Sequence, residues 1–130
     1  MTRQMPEQED FEIIIEWASK KIQTHVESRN FSVAAELCEL IEAYLIIWES
    51  VATNTPASQW LRRRISDTYY FSQNLKTHGN GNDKFSEDGL VGLLKPIRDY
   101  VKLNGITSNS MVLSGSGEKI PDGYDDFVEV

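Results

Sequence analysis

Arg62, Arg63 and Arg64, followed within two helical turns by Tyr69 and Tyr70, are the residues of this chain best equipped to grip a polyanion. Guanidinium forks bind phosphate oxygens in pairs, and phenol rings offer platforms on which unpaired bases stack. Arg62, Arg63, Tyr69 and Tyr70 project away from the apolar side of their segment and form a candidate nucleic-acid site. Arg64 points the other way and is expected to lay its stem over Trp60 or Phe71. Thirteen Lys and Arg stand against twenty Asp and Glu, a formal charge of −7. The average surface therefore repels polyanions. A simpler role for Arg62 and Arg63 is to pair with nearby carboxylates or to receive an acidic segment of the same chain.

The other reactive side chains do not assemble. His25, Cys38 and His78 lie far apart and none belongs to a closely spaced ligand pair, so no metal is expected on them. Glu36, Glu39 and Glu42 lack the Glu-x-x-His partners of a bundle di-metal site and read as a solvated face. The Asn80 to Asp83 stretch misses the ligand spacing of a calcium hand. The glycines at 79, 81, 115 and 117 are not framed as a phosphate loop. Cys38 lies in an apolar helical stretch with no histidine at helical spacing, so it is expected to be buried, structural and slow to react with thiol reagents. No catalytic residue, cofactor or metal is assigned, and the chain is not expected to be an enzyme.

Two groups of residues suit protein binding instead. Ile13 and Trp17, four apart, fall outside the apolar stripe of their own helix, where solvent is expected, and make a candidate partner or self-association surface. The alternative is that a fourth helix, or the Met111-Val112-Leu113 run, covers them within the monomer. Tyr124, Asp125, Asp126 and Phe127 combine two aromatic anchors with charges for Arg or Lys, as an acidic docking peptide would. The nearest basic groove in the chain itself surrounds Arg62 and Arg63.

The elements that must position these residues are helical. After Pro6, with Glu7, Glu9 and Asp10 suited to a helix N-terminus, Phe11, Ile14, Ile15, Ala18, Ile22, His25 and Val26 recur at three- and four-residue steps. Ser28 to Asn30 break the pattern, and Ser32 is placed to cap a second helix. In that helix Leu37, Leu40, Ile41, Tyr44, Leu45, Ile47, Trp48 and Val51 cover a broad arc, which predicts the central, most buried element. Pro56 precedes a third helix, Ala57 to about Leu75, with Trp60, Leu61, Ile65, Thr68, Phe71 and Leu75 inward. His78 to Lys84 reads as a mobile loop. A fourth helix opens at Ser86-Glu87-Asp88 and buries Leu90, Val91, Leu94, Ile97, Tyr100 and Val101. Pro96 marks a kink or break in it, and Asn104-Gly105 its end. The stretch Arg29 to Ala35 resembles the loop and first turn of a tetratricopeptide repeat, but no second copy occurs at that period, so neither a solenoid nor a family follows.

These patterns predict an all-α fold, a compact bundle of about four principal helices over residues 1–105, with the second helix in the middle. Residues 106–130 are expected to form a Ser/Gly-rich linker and a flexible acidic tail, residues 118–130 carrying five acids against one lysine. A chain of 130 residues can bury a core without metal or disulfide. A single cysteine, a start (Met1 to Glu7) without the apolar core of a signal peptide, and no apolar run approaching roughly 20 residues point to the cytoplasm, away from membranes. The expected function is a non-catalytic protein-interaction module, such as an adaptor, inhibitor or accessory subunit of a larger assembly. Its partner would be another protein or itself as a homo-oligomer. The alternative is a nucleic-acid-binding accessory subunit that uses the Arg/Tyr helix face.

Overall fold

The structure, a computed structural model, describes residues 4–52, 59–78, 84–106, 119–121 and 123. Among them four helices and no strand occur: α1 (Gln8–Glu27), α2 (Phe31–Ala52), α3 (Gln59–His78) and α4 (Lys84–Leu103). The chain is thus an all-α bundle.

The helix ends follow from local hydrogen bonding. A helix leaves its first amides without partners, and at α1 the Asp10 carboxylate reaches back to accept the Glu7 N–H at 2.9 Å. At the far end Arg29 takes φ 63, its amide bonding to the Val26 carbonyl at 3.1 Å while Asn30 bonds to His25 at 2.8 Å. This is the Schellman arrangement, with an arginine where glycine is usual. The same pair of bonds ends α4: Gly105, at φ 61, bonds to Lys102, and Ile106 bonds to Val101. Ile106 is thereby folded back and buried beside Val101. At the start of α2 the Ala34 amide bonds to the Asn30 carbonyl at 3.0 Å, so the helix opens just ahead of Ser32, the expected cap. Pro96 does not end α4, which runs through it as one element. Gly92, whose carbonyl loses its partner to the proline, is exposed, and water can satisfy it.

Packing places α1 against α2 and α3, and α4 against the same two helices. The bundle is a square in which α1 faces α4, and α2 faces α3, across the diagonals. Trp48 Nε1 of α2 donates to Gln8 Oε1 of α1 at 3.3 Å, so this pair is antiparallel. Ser66 donates to the Gln4 carbonyl and Ser72 to Asp10, so α1 and α3 run parallel. Trp60 stacks on Tyr100 at 5.6 Å while Phe71 faces Gly89, so α3 and α4 are antiparallel. Successive helices therefore alternate in direction, yet their order around the square is α1, α2, α4, α3. The expectation that the second helix is central is corrected: four helices of similar length leave each with two neighbours and a solvent face.

Phe11, Tyr44 and Trp48 form an aromatic layer, with Phe11 and Trp48 stacked at 4.8 Å. Leu40, Ile47, Leu61, Ile65, Leu90, Leu94 and Ile97 are among the other residues that fill the core. One hydrogen bond crosses a diagonal there. Thr68 uses its hydroxyl proton on the Ile65 carbonyl at 2.6 Å, so Tyr44 is the donor to Thr68 Oγ1 at 2.8 Å. Burial pushes the Tyr44 phenol up to about 12, which keeps it a donor. The other diagonal is tied by His25 Nε2 and Glu87 Oε1 at 2.8 Å. Of the α1 stripe, Phe11, Ile14 and Ala18 are buried, Ile15, Ile22 and His25 half-buried, and Val26 exposed; on α2, Leu45 is exposed as well.

Part of the segment expected to be a free tail is docked. Asn104 Nδ2 donates to the Lys119 carbonyl at 2.9 Å, and its Oδ1 accepts the Lys119 amide at 2.6 Å. Pro121 is buried against the end of α4, in a recess it shares with Lys102, Leu103 and Ile120. The loop at 79–83, the Met111-Val112-Leu113 run and the Tyr124, Asp125, Asp126 and Phe127 peptide lie outside the described residues.

Candidate functional site

Trp17 is not a surface anchor. It is only 6% exposed and packs edge-on against Phe71 of α3 at 5.5 Å, with Lys21 Nζ 5.5 Å from its ring centroid; Ile13 beside it is half-buried. The flank that should have met solvent meets α3 instead, because a corner helix of a square presents two apolar faces, one to each neighbour. The self-association surface inferred on Ile13 and Trp17 loses its basis.

Beside it lies a buried polar cluster that the sequence reading missed. Asp10, 4% exposed, accepts Glu7 N–H on Oδ2, and on Oδ1 Gln73 Nε2 at 2.9 Å and Lys76 Nζ at 3.2 Å. Ser72 divides its single proton between Asp10 Oδ1 at 3.1 Å and the Tyr69 carbonyl at 2.7 Å. Burial alone would raise the Asp10 carboxyl above its ordinary 3.8, but the Glu7 amide, Lys76 and Ser72 outweigh it and hold the group below that value. Hydrogen bonding to Asp10 outweighs the desolvation that would lower Lys76, and raises it above 10.5. A buried, ionised carboxylate held by one donor on Oδ2 and three on Oδ1 is occupied by the fold's own groups. The cluster locks α1 to α3 and is structural.

The Arg/Tyr face is discontinuous. Arg62 and Tyr70 are exposed, Arg63 and Tyr69 half-buried, and the two tyrosine rings meet edge-on at 5.2 Å. Asp67 falls between Arg63 and Tyr70 on the same helical line, its carboxylate 4.0 Å from Arg64 Nε. Between Arg62 and Tyr69 stands Ser66, buried under the Gln4 carbonyl at 2.7 Å. A carboxylate in one line and a covered turn in the other leave no unbroken basic track for a phosphate backbone. Arg64 stacks over Trp60 at 5.6 Å, as its position in the sequence predicts.

Cys38 is exposed, which corrects the expectation of a buried thiol. On α2 it lies in one line with Phe31 and Leu45, seven residues to either side, 61% and 38% exposed respectively. The antiparallel register with α1 brings half-buried Ile15 and Ile22 and exposed Val26 to similar heights on the facing edge. Together they line the outer groove between α1 and α2 for about 21 Å, at 1.5 Å per residue over Phe31 to Leu45. Among the described residues the rim carries exposed Glu12, Glu42 and Glu49; Lys20 and Lys21 lie on the far side of α1, and Arg29 sits in the turn at one end. A signal for this face was present: Glu42, Leu45 and Glu49 are spaced three and four apart, so Leu45 shares the side of two carboxylates. We expect Cys38 of the folded protein to react stoichiometrically with a thiol reagent, at a rate within about tenfold of that in denaturant. Labelling that waits for unfolding would return Cys38 to the core.

Among the described residues no group of three or more His, Cys, Asp or Glu side chains is placed to hold a metal ion, and no helix is long and apolar enough to cross a membrane. The chain matches no protein-family model, and neither curated proteins nor solved structures provide a match.

Proposed function

We propose that this chain is a non-catalytic protein-interaction module that binds its partner through the outer α1/α2 groove. The observation that carries this reading is the exposed line of Phe31, Cys38 and Leu45 opposite Ile15, Ile22 and Val26. Leaving apolar surface in water forgoes about 25 cal/mol per Å² relative to covering it, and such surface gathers where proteins associate. Adaptor, inhibitor and accessory subunit all fit this description. The nucleic-acid alternative has the interrupted Arg/Tyr face against it.

The test is capture from an extract of the source cells, with and without nuclease, by the wild-type chain, by a Phe31→Glu/Leu45→Lys variant and by an Arg62→Glu/Tyr70→Ala variant. All should fold, because exposed positions tolerate such changes within about 1 kcal/mol. The groove variant is expected to lose a partner that the other two retain. Retention by the groove variant refutes this reading, whereas a partner lost only by the Arg/Tyr variant, or captured by the wild type only when nuclease is left out, favours nucleic acid.

A further inference from the structure

Resting on the proposed protein-binding role of the groove, we infer that its occupant is a basic amphipathic helix of a partner protein. The apolar floor is a straight strip between two antiparallel helices, the shape into which the side-chain ridge of a third helix packs. Along the strip Phe31, Cys38 and Leu45 repeat every seven residues, the spacing with which a helix presents anchors at i, i+3 or i+4, and i+7. Its rim selects the charge. Glu12, Glu42 and Glu49 border the floor, Glu42 also lining the recess between α2 and α4 with Arg98 and Lys102, while neutral Ser19, Gln23 and Ala35 are among the other exposed positions of the two helices. A helix with Lys or Arg beside its apolar stripe would meet those carboxylates, and one with acidic flanks would be repelled.

A second copy of this chain fits less well. Groove-to-groove pairing would set the same glutamates against one another in two molecules that each carry −7. Basic counterparts are few on the described part of the rim, since Lys21 lies over Trp17, Lys20 pairs with Glu16 at 3.3 Å, and Arg29 stands only in the turn at one end.

Cys38, in the middle of the floor, makes the experiment direct. The full chain is titrated with three 18-residue peptides: an amphipathic helix of Leu and Lys, a scrambled peptide of the same composition, and an amphipathic helix of Leu and Glu. Alkylation of Cys38 and amide chemical shifts are followed at physiological salt. The Leu/Lys helix is expected to slow alkylation at least tenfold at saturation, with shifts concentrated at Ile15, Ile22, Val26, Phe31, Cys38 and Leu45. The other two should do neither. Leu45→Lys and Glu42→Lys should each weaken the effect about tenfold or more, the second without touching the apolar floor.

Equal protection by the Leu/Lys and Leu/Glu helices would overturn the charge selection while leaving the groove as a binding surface. Protection by the scrambled peptide, or binding that Leu45→Lys leaves intact, would show attraction to the acidic surface at large and overturn the inference. Protection that grows with protein concentration in the absence of peptide, with a dimer in sedimentation, would replace the basic helix with a second copy. No protection by any peptide, together with native capture that ignores the groove variant, would overturn the parent reading as well.

Discussion

Replacing Trp17 with alanine should cost about 3–5 kcal/mol and lower the midpoint of thermal unfolding by roughly 10–20 °C, without changing the mass of the species in solution. The ring is 6% exposed and fills the junction of α1 and α3 against Phe71. Truncation leaves a cavity the size of an indole beside a second aromatic that cannot close it, because Phe71 is held on its own helix opposite Gly89. A domain of ordinary stability has about 5–15 kcal/mol in total, so the variant sits near the edge of folding. Trp17→Phe, which keeps an edge-to-face partner for Phe71, should lose less than half as much. Circular dichroism and sedimentation separate the outcomes. A folded variant with a changed association state would restore Trp17 to the surface, whereas a cooperative melt at lower temperature with unchanged mass places it in the core.

The case of Trp17 shows where a pattern of residues stops carrying information about the fold. Periodicity reports which side of a helix avoids water, and for all four helices it named most of the buried residues, together with the Gly105 terminus. What it does not report is how many neighbours a helix has. Phe11, Ile14 and Ala18 make the stripe that meets α2 and the core, but Trp17 and Asp10 meet α3, and only the order of helices around the square decides that. The same gap misplaced Cys38. With Leu45 counted as inward, α2 reads as apolar nearly all round and its thiol as enclosed; with α2 at a corner, the arc holding Phe31, Cys38 and Leu45 is left over. The proposed binding surface therefore follows from the mismatch between the apolar arc of α2 and the two neighbours available to cover it.

Asp10 gives the second large effect, and it carries a signature in pH. Asp10→Asn should destabilise the fold by about 1–3 kcal/mol near neutral pH, because an amide sets N–H groups against the Glu7 amide or Lys76 where the carboxylate accepted from both, and leaves a buried donor unmet. The Asp10 carboxyl is held below its ordinary 3.8 in the folded chain. Its contribution is therefore complete above the unfolded value and is lost as pH falls through the folded one. Wild type and variant should differ by a constant amount from about pH 5 to 8 and converge on acidification below about pH 4. Lys76 shows the opposite sign: raised above 10.5 by Asp10, it adds stability that is present below that value and fades as pH climbs through its own higher one. The variant, left with only Glu9 at 3.6 Å as a partner for Lys76, should lose most of that alkaline dependence too. Urea titrations across the pH range measure all three features. A gap that persists undiminished at pH 2.5 would mean that Asp10 acts through shape and hydrogen-bond count alone, and the charged lock between α1 and α3 would have to be abandoned.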